Sequence, residues 1–207
     1  MVYFYRQTKV AYLTFDDGPS DNTLKILDIL DTYNVKATFF VIGNVSEKNQ
    51  ALYWEIVRRG HSIGLHTYTH DYSYIYSSLE NFKEDLTMLE NTLMYYIGFV
   101  PSIYRFPGGS TNQISQKYGP PDIMEVLKKE VLRRGYIFYD WNVDSGDTAA
   151  ALVEPDIITN NVLTGAANKS NINILLHDAP AKTTTVEALP GIITGLTAQG
   201  FTFRRLP

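Results

Sequence analysis

A chain of 207 residues that is 44% hydrophobic and 19% charged is long enough to bury the core of one globular domain. Its net charge is −4 and no run of Lys or Arg is longer than a pair, which excludes an extended cationic surface for nucleic acid or anionic lipid. The chain contains no cysteine, so disulfides, thiolate metal ligands and cysteine nucleophiles are excluded as well.

Short apolar segments alternate with segments of helical periodicity along the whole chain. The predicted order is strand 10–15, helix 22–33, strand 37–42, helix 47–59, strand 62–66, helix 79–97, strand 102–106, helix 122–134, strand 136–141, helix 156–167, strand 172–176, helix 185–199 and strand 201–204. This repeated order predicts an α/β fold with a parallel sheet covered by helices, as either an open doubly wound sheet or a closed barrel.

Polar side chains collect where the predicted strands end. In both architectures the carboxyl ends of the strands carry the functional groups. The residues in question are Asp16 and Asp17 after the first strand, His66 after the third, Arg105 at the fourth, Asp144 and Asp147 after the fifth, and His177 after the sixth. Their shared position predicts a single site at this edge of the sheet.

Asp16 and Asp17 precede a Gly18-Pro19 turn. Adjacent carboxylates repel each other, so two ionised groups here favour a cation close by. The structural alternative is that Asp17 or Ser20 only caps the following helix.

His66 and His70 are four residues apart, and on one helical turn such side chains lie ~5–6 Å apart, close enough to bind one ion. Two imidazoles and one carboxylate form a three-ligand site with an open position for water or substrate. Zinc fits this set, although non-haem iron uses the same ligands. A divalent ion in such a site activates water and polarises a carbonyl, which favours hydrolysis.

The segment 105–109 places the guanidinium of Arg105 beside two glycines. Arg105 can pair with a carboxylate, and the free N–H of Gly108 can face a developing oxyanion. A surface arginine before a turn is the structural alternative. His177 follows a buried strand and is suited to protonate a leaving group near neutral pH, with Asp144 or Asp147 on its other nitrogen.

The segment 60–64 matches the Gly-x-Ser-x-Gly pattern of serine hydrolases around Ser62. That motif needs a strand before the serine and a helix after it. Here the predicted order is reversed, so we expect Ser62 at the opposite end of the sheet from the polar cluster.

Taken together, these segments resemble the polysaccharide deacetylases of the NodB-homology type, carbohydrate esterase family 4. The resemblance runs from Thr14 to about Phe203 and includes five motifs in the family's order. It implies a distorted (β/α) barrel of seven or eight strands and hydrolysis of N- or O-acetyl groups on a sugar polymer.

The resemblance also implies a role for each matching position. Asp17, His66 and His70 would bind one divalent metal, usually zinc and sometimes cobalt or another ion. Asp16 would be the general base, held in place by Arg105.

By the same resemblance, the amide of Gly108 would stabilise the oxyanion. His177 would protonate the leaving group, with Asp147 tuning it. Leu175 would line the pocket for the acetyl methyl group.

This chain departs from the family pattern at several positions. Phe106 and Gly108 stand where the family often has Pro and Tyr, so an aromatic wall is missing while the backbone donor remains. Thr148 replaces a frequent Trp, and Trp141 lies too early in the segment to replace it without a shift. These departures leave the polymer open between N-acetylglucosamine glycans, such as peptidoglycan or chitin, and O-acetylated xylan.

We expect residues 1–207 to form one catalytic domain and a monomer that acts on a carbohydrate polymer. No apolar run approaches the ~20 residues of a membrane span, and residues 1–6 lack the order of a signal peptide. No membrane contact is therefore expected from this segment, and an extracellular or cell-envelope location follows from the family alone. The alternatives are a catalytically silent carbohydrate-binding domain and a small-molecule amide hydrolase on a related barrel.

Overall fold

The computed structural model describes residues 8–207, and the start of the chain that was considered for a signal peptide lies outside them. The described strands form one parallel sheet in the order β5-β4-β3-β2-β1-β7-β6, with β8 pairing with β1. The strands are β1 (Lys9–Gly18), β2 (Thr38–Ile42), β3 (Ser62–Thr67), β4 (Ile103–Tyr104), β5 (Ile137–Phe138), β6 (Val143–Asp144), β7 (Asn171–His177) and β8 (Phe201–Phe203). Within residues 8–207 no pairing joins β5 to β6, so the barrel is incompletely closed. This is the distorted barrel that the family resemblance implies.

Helices cover the sheet and connect its parallel strands. They are α1 (Asp21–Thr32), α2 (Glu47–Gln50), α3 (Leu52–Arg58), α4 (Tyr72–Ile75), α5 (Leu79–Ile97), α6 (Ile123–Arg133), α7 (Pro155–Gly165) and α8 (Thr183–Ala198), with a 3₁₀ turn at Ile114–Lys117. None of the helices in the described part of the chain is long and apolar enough to cross a bilayer.

The central strand β1 organises the sheet because it pairs with three others. It runs beside β7 from Val10 to Asp16, beside β2 from Thr14 onward, and beside β8 at its start. Its side chains of Leu13 and Phe15 are fully buried, and the Phe15 ring stacks on Phe39 of β2 at 5.1 Å between centroids. The polar carboxyl end of β1 is therefore held in place by apolar residues of the same strand that are packed in the core.

Several local predictions were wrong. The expected strand 102–106 contains only the two residues of β4, and the short helix α4 was not predicted. The expected helix 47–59 is interrupted at Ala51, which separates α2 from α3. The expected strand 136–141 contains only the two residues of β5, and the short strand β6 was not predicted. Strands this short carry too few residues for a periodic signal, and their hydrogen bonds come from partners distant in sequence.

Candidate active site

The strand register brings the predicted polar residues to one end of the sheet. Asp16 of β1 lies directly opposite His177 of β7, and Asp144 of β6 lies opposite Leu175. Ser62 begins β3 and its hydroxyl donates to the main-chain oxygen of Leu206, at the other end of the sheet. The serine-hydrolase pattern is thus placed away from the site, as its topology predicts.

Irregularities in two strands turn Asp17 and His66 toward the same point. The pairing of β1 with β2 skips Asp17, whose φ of 74° is left-handed, and the pairing of β2 with β3 skips His66. In a regular strand, adjacent side chains such as Asp16 and Asp17 point to opposite faces. An extra residue in the strand re-aims the side chain, so both carboxylates can face one cavity.

Asp17, His66 and His70 form a compact group of potential metal ligands. Oδ1 of Asp17 lies 3.4 Å from Nε2 of His66 and 3.0 Å from Nε2 of His70. The candidate ligand atoms of all three residues lie within 4.8 Å of one another. The two histidines do not share a helical turn: His66 lies near the end of β3, as the sequence predicts, and His70 lies in the following loop with φ of 54°.

The hydrogen bonding of this cluster fits a bound cation. Nδ1 of His66 lies 2.6 Å from the main-chain oxygen of Arg105, which can only accept, so this nitrogen carries the ring hydrogen. Nε2 of a neutral His66 then presents a lone pair toward Asp17. Oδ1 of Asp17 is buried and has no hydrogen-bond partner within residues 8–207. Lone pairs that face one another in this way match the donor set of a zinc site.

The charge balance of Asp17 points in the same direction. Burial alone would raise the pKa of Asp17. A positive charge next to the carboxylate, either on a protonated imidazole of His66 or His70 or on a cation bound in its place, opposes this effect and holds the pKa well below its usual value. The carboxylate is therefore charged and ready to bind a cation at neutral pH.

Asp16 is anchored from beneath by Arg105. Nη1 of Arg105 donates to Oδ1 of Asp16 at 2.9 Å and to Oγ1 of Thr14 at 2.6 Å. Both charged side chains are buried, with Arg105 0% and Asp16 3% exposed. The guanidinium also lies over the Phe40 ring, 4.2 Å from its centroid. These contacts fix one carboxylate oxygen of Asp16 and leave the other for chemistry.

His177 forms a pair with Asp147, and Asp144 does not take part. Nδ1 of His177 lies 2.8 Å from Oδ1 of Asp147, and the main-chain N–H of His177 donates to Oδ2 of Asp147. The hydroxyl of Thr185 donates to the same Oδ2 at 2.9 Å. Burial alone would lower the pKa of His177, but the bond to Asp147 and the nearby carboxylates of Asp16 and Asp17 raise it to about 9. His177 is therefore protonated at neutral pH, and its Nε2 has no hydrogen-bond partner among residues 8–207.

A cavity of ≈ 320 Å³ connects these groups. It is lined by Asp16, Asp17, His66, His70, Tyr72, Gly108, Trp141, Asp144, Thr148, Leu175 and His177. The predicted residues Gly108 and Leu175 thus lie beside the charged cluster. Trp141, which we did not expect to reach the place of the missing tryptophan, also lines this cavity.

The sequence did not point to several residues that support the site. Asp85 of α5 is 1% exposed and accepts from the N–H groups of Tyr68 and Thr69 at 2.6 and 2.9 Å, and from the Thr69 hydroxyl at 2.6 Å. It thereby holds the chain between His66 and His70. A buried carboxylate on the apolar stripe of a helix was the available signal, since such a group needs hydrogen-bond donors.

Asp140 has a similar function for the loop that contains Gly108 and Gly109. Its carboxylate accepts from the N–H of Ser110 at 2.8 Å and from the Ser110 hydroxyl at 2.5 Å. Nothing local in the sequence distinguishes Asp140 from a surface residue.

Comparison with known proteins identifies the family. The profile described as "Polysaccharide deacetylase" matches residues 5–119. A peptidoglycan-N-acetylglucosamine deacetylase of Bacillus cereus is 35% identical over 210 residues, which cover 96% of this chain and 69% of that protein. The chain belongs to the polysaccharide deacetylase family.

The structural comparison agrees with this assignment. The catalytic domain of a peptidoglycan N-acetylglucosamine deacetylase from Eubacterium rectale superimposes with a TM-score of 0.92 at 39% identity, covering 99% of this chain and 91% of that one. A bifunctional xylanase/deacetylase of Pseudobutyrivibrio xylanivorans is 34% identical over 94% of this chain, which spans 29% of that protein. The expected carbohydrate esterase family 4 fold and the enzyme class, a hydrolase of acetyl groups, are confirmed.

Substitution of Asp85 tests its support of the histidine loop in this deacetylase domain. Asp85→Ala leaves the N–H groups of Tyr68 and Thr69 without their acceptor, so His70 loses its fixed position. We expect zinc affinity to fall by about 10- to 100-fold, the range for residues that orient metal ligands. The measurement is a chelator competition titration of metal-stripped protein.

Asp71→Ala is the matched control, since exposed Asp71 accepts from Ser73 just beyond the same loop. It should retain close to wild-type affinity. A folded Asp85→Ala variant that binds zinc as tightly as the wild type would show that this support is dispensable.

Proposed function

We propose that this chain hydrolyses the acetyl groups of N-acetylglucosamine units in peptidoglycan or a chitin-like glycan, in a metal-dependent reaction. The observation that carries the proposal is the pairing of Asp16 with His177 across β1 and β7. Arg105 anchors Asp16 and Asp147 anchors His177, and both lie beside the cluster of three potential metal ligands. The names of the Bacillus cereus and Eubacterium rectale relatives support this substrate class.

Asp17, His66 and His70 would hold one divalent metal ion. Zinc matches their oxygen and nitrogen donors best, and cobalt or another divalent ion is compatible. When bound there, such an ion supplies Lewis-acid polarisation of a carbonyl and lowers the pKa of water.

Asp16 accepts the proton of the attacking water through the carboxylate oxygen that Arg105 leaves free. Arg105 positions this base, since its guanidinium is itself fixed to Thr14. The N–H of Gly108 donates to the developing oxyanion. Leu175, on the wall of the cavity, contacts the acetyl methyl group.

His177 is the general acid. Because its Nδ1 is bonded to Asp147, its proton for the leaving amine comes from Nε2. A pKa raised to about 9 keeps that proton in place at neutral pH. A binding domain without turnover has no use for an anchored base and an anchored acid that line one cavity.

Removal of O-acetyl groups from xylan is the second candidate, since one relative is named a bifunctional xylanase/deacetylase. The leaving group is then an alkoxide, and the same residues serve both reactions. We also propose that residues 1–207 form a single catalytic domain acting as a monomer, extracellular or associated with the cell envelope, where such polymers lie.

The experiment that tests the proposal is acetate release from acetylated chitooligosaccharides, peptidoglycan and acetylxylan. Metal-stripped protein is assayed before and after addition of zinc. Zinc-dependent release from the first two supports the proposed substrate, and preference for acetylxylan supports the second candidate. Absence of release from all three, despite zinc binding, would favour a silent binding domain or a small-molecule amide hydrolase.

Substitutions separate the metal ligands from the base. Asp17→Ala and His70→Ala should lose bound zinc, whereas Asp16→Asn should retain zinc and lose about 10²- to 10⁴-fold in kcat, the range of general-base catalysis. Metal content by mass spectrometry and kcat are measured on the same samples.

Asp144→Ala is the matched control for metal content, because Asp144 lines the same cavity and lies outside the ligand cluster. Thermal unfolding of Asp16→Asn must also be measured, since this variant leaves the buried Arg105 without a partner of opposite charge. Equal zinc loss in all three test variants would contradict the division between base and ligands.

The pairing of His177 with Asp147 predicts the alkaline limb of the pH profile. His177 donates only while protonated, so kcat should fall as pH rises through the pKa of His177, which the bond to Asp147 holds above its usual value. Asp147→Asn removes the charge that raises the pKa of His177, and the limb should move to lower pH by about 1–3 units.

Thr185→Val removes one hydrogen bond to Asp147 and keeps its charge, so a smaller shift is expected. An alkaline limb in Asp147→Asn at the wild-type pH would exclude His177 as the titrating acid.

A further inference from the structure

The cavity wall next to Gly108 is formed by a residue from another part of the chain. A Cβ atom built on Gly108 would lie 3.5 Å from Oη and 3.6 Å from Cε1 of Tyr72, and 3.3 Å from Cβ of Asn112. A large side chain at position 108 would compete with the Tyr72 ring for this space. Tyr72 thus occupies the side of the cavity that Gly108, having no side chain, leaves open.

The ring of Tyr72 is held between two other rings. It contacts His70 edge-on with centroids 5.5 Å apart, and Tyr76 with centroids 5.6 Å apart. The Tyr76 hydroxyl donates to the main-chain oxygen of Pro107 at 2.6 Å, which ties this aromatic pair to the loop of Gly108. The wall is therefore preorganised by contacts on both of its sides.

The hydroxyl of Tyr72 has no hydrogen-bond partner within residues 8–207, although the side chain lines the cavity. The other tyrosines of this segment differ, since Tyr74 donates to Glu84 and Tyr76 to Pro107. A half-buried phenol held rigidly beside the proposed acid and base, with its hydroxyl uncommitted, is suited to bind a ligand that has both an apolar face and polar groups.

We propose that Tyr72 is a substrate-binding residue of this site, whose ring packs against the acetylated sugar and whose hydroxyl hydrogen-bonds to it. This inference rests on the proposed function and adds that α4, rather than the segment after Arg105, supplies the aromatic side chain beside Gly108. The ligand class is a pyranose that bears an acetylated amine, because its C–H face matches the ring and its hydroxyl or carbonyl oxygens match the phenol.

The test compares Tyr72→Phe and Tyr72→Ala with the wild type on acetylated chitooligosaccharides. Tyr72→Phe removes one hydrogen bond and should raise KM by about 2- to 10-fold. Tyr72→Ala also removes the ring and should lower kcat/KM by about 10- to 100-fold, chiefly through KM. Zinc content should be the same in all proteins, because the ligands are untouched.

Tyr74→Phe is the matched control. It removes a hydroxyl from the same helix, α4, at a position outside the cavity lining, so KM should stay at the wild-type value. Unchanged KM in Tyr72→Ala, or an equal rise in Tyr74→Phe, would overturn the proposal.

Binding of the same oligosaccharides to zinc-loaded protein, measured by calorimetry, separates this inference from the proposed function. If the wild type binds them without turnover, the proposed activity fails while weaker binding by Tyr72→Ala still supports the role of Tyr72. If the wild type neither binds nor hydrolyses them, both proposals are overturned.

Discussion

The buried guanidinium of Arg105 is the interaction on which the site depends. It is fully shielded from solvent, and a charge in such a position is tolerated only with a complete set of partners. Its Nη1 binds Asp16 and its Nε donates to the main-chain oxygen of Tyr139, while its own carbonyl accepts from His66. One residue thus positions the proposed base and one proposed metal ligand, and ties β4 to the chain that follows β5.

The same arrangement recurs around the cavity. Two further parts of the site are fixed from behind by a buried polar group: His177 by Asp147, and the loop before His70 by Asp85. Anchored in this way, the groups need little reorganisation when charge develops in a reaction. Burial of several carboxylates costs desolvation free energy. Hydrogen bonds from backbone N–H groups and hydroxyls offset this cost.

The sequence allowed much of this arrangement to be predicted, because strand ends are recognisable and parallel strands end at one edge. That reasoning brought Asp16, His66 and His177 together without knowledge of their distances. It failed for the geometry of His70, since the left-handed backbone there depends on the loop that Asp85 holds, and Asp85 lies on a helix further along the chain. The sequence also did not identify the cavity wall formed by Tyr72, because a contact between residues 72 and 108 produces no recognisable sequence pattern.

The pairing of Asp16 with His177 has a consequence for how this site can change. Neighbouring strands lie about 4.8 Å apart, and a slip of register by one residue turns every side chain to the opposite face. The hydrogen-bonded pairing of β1 with β7 therefore fixes the distance between the backbones of these two residues, and substitution of side chains cannot change it gradually. The shape of the cavity can still change without moving these two residues, through substitutions of side chains that line it and through the loops and short helices around it. Strand pairing thus fixes the relative position of the proposed base and acid, whereas the residues around the cavity can vary.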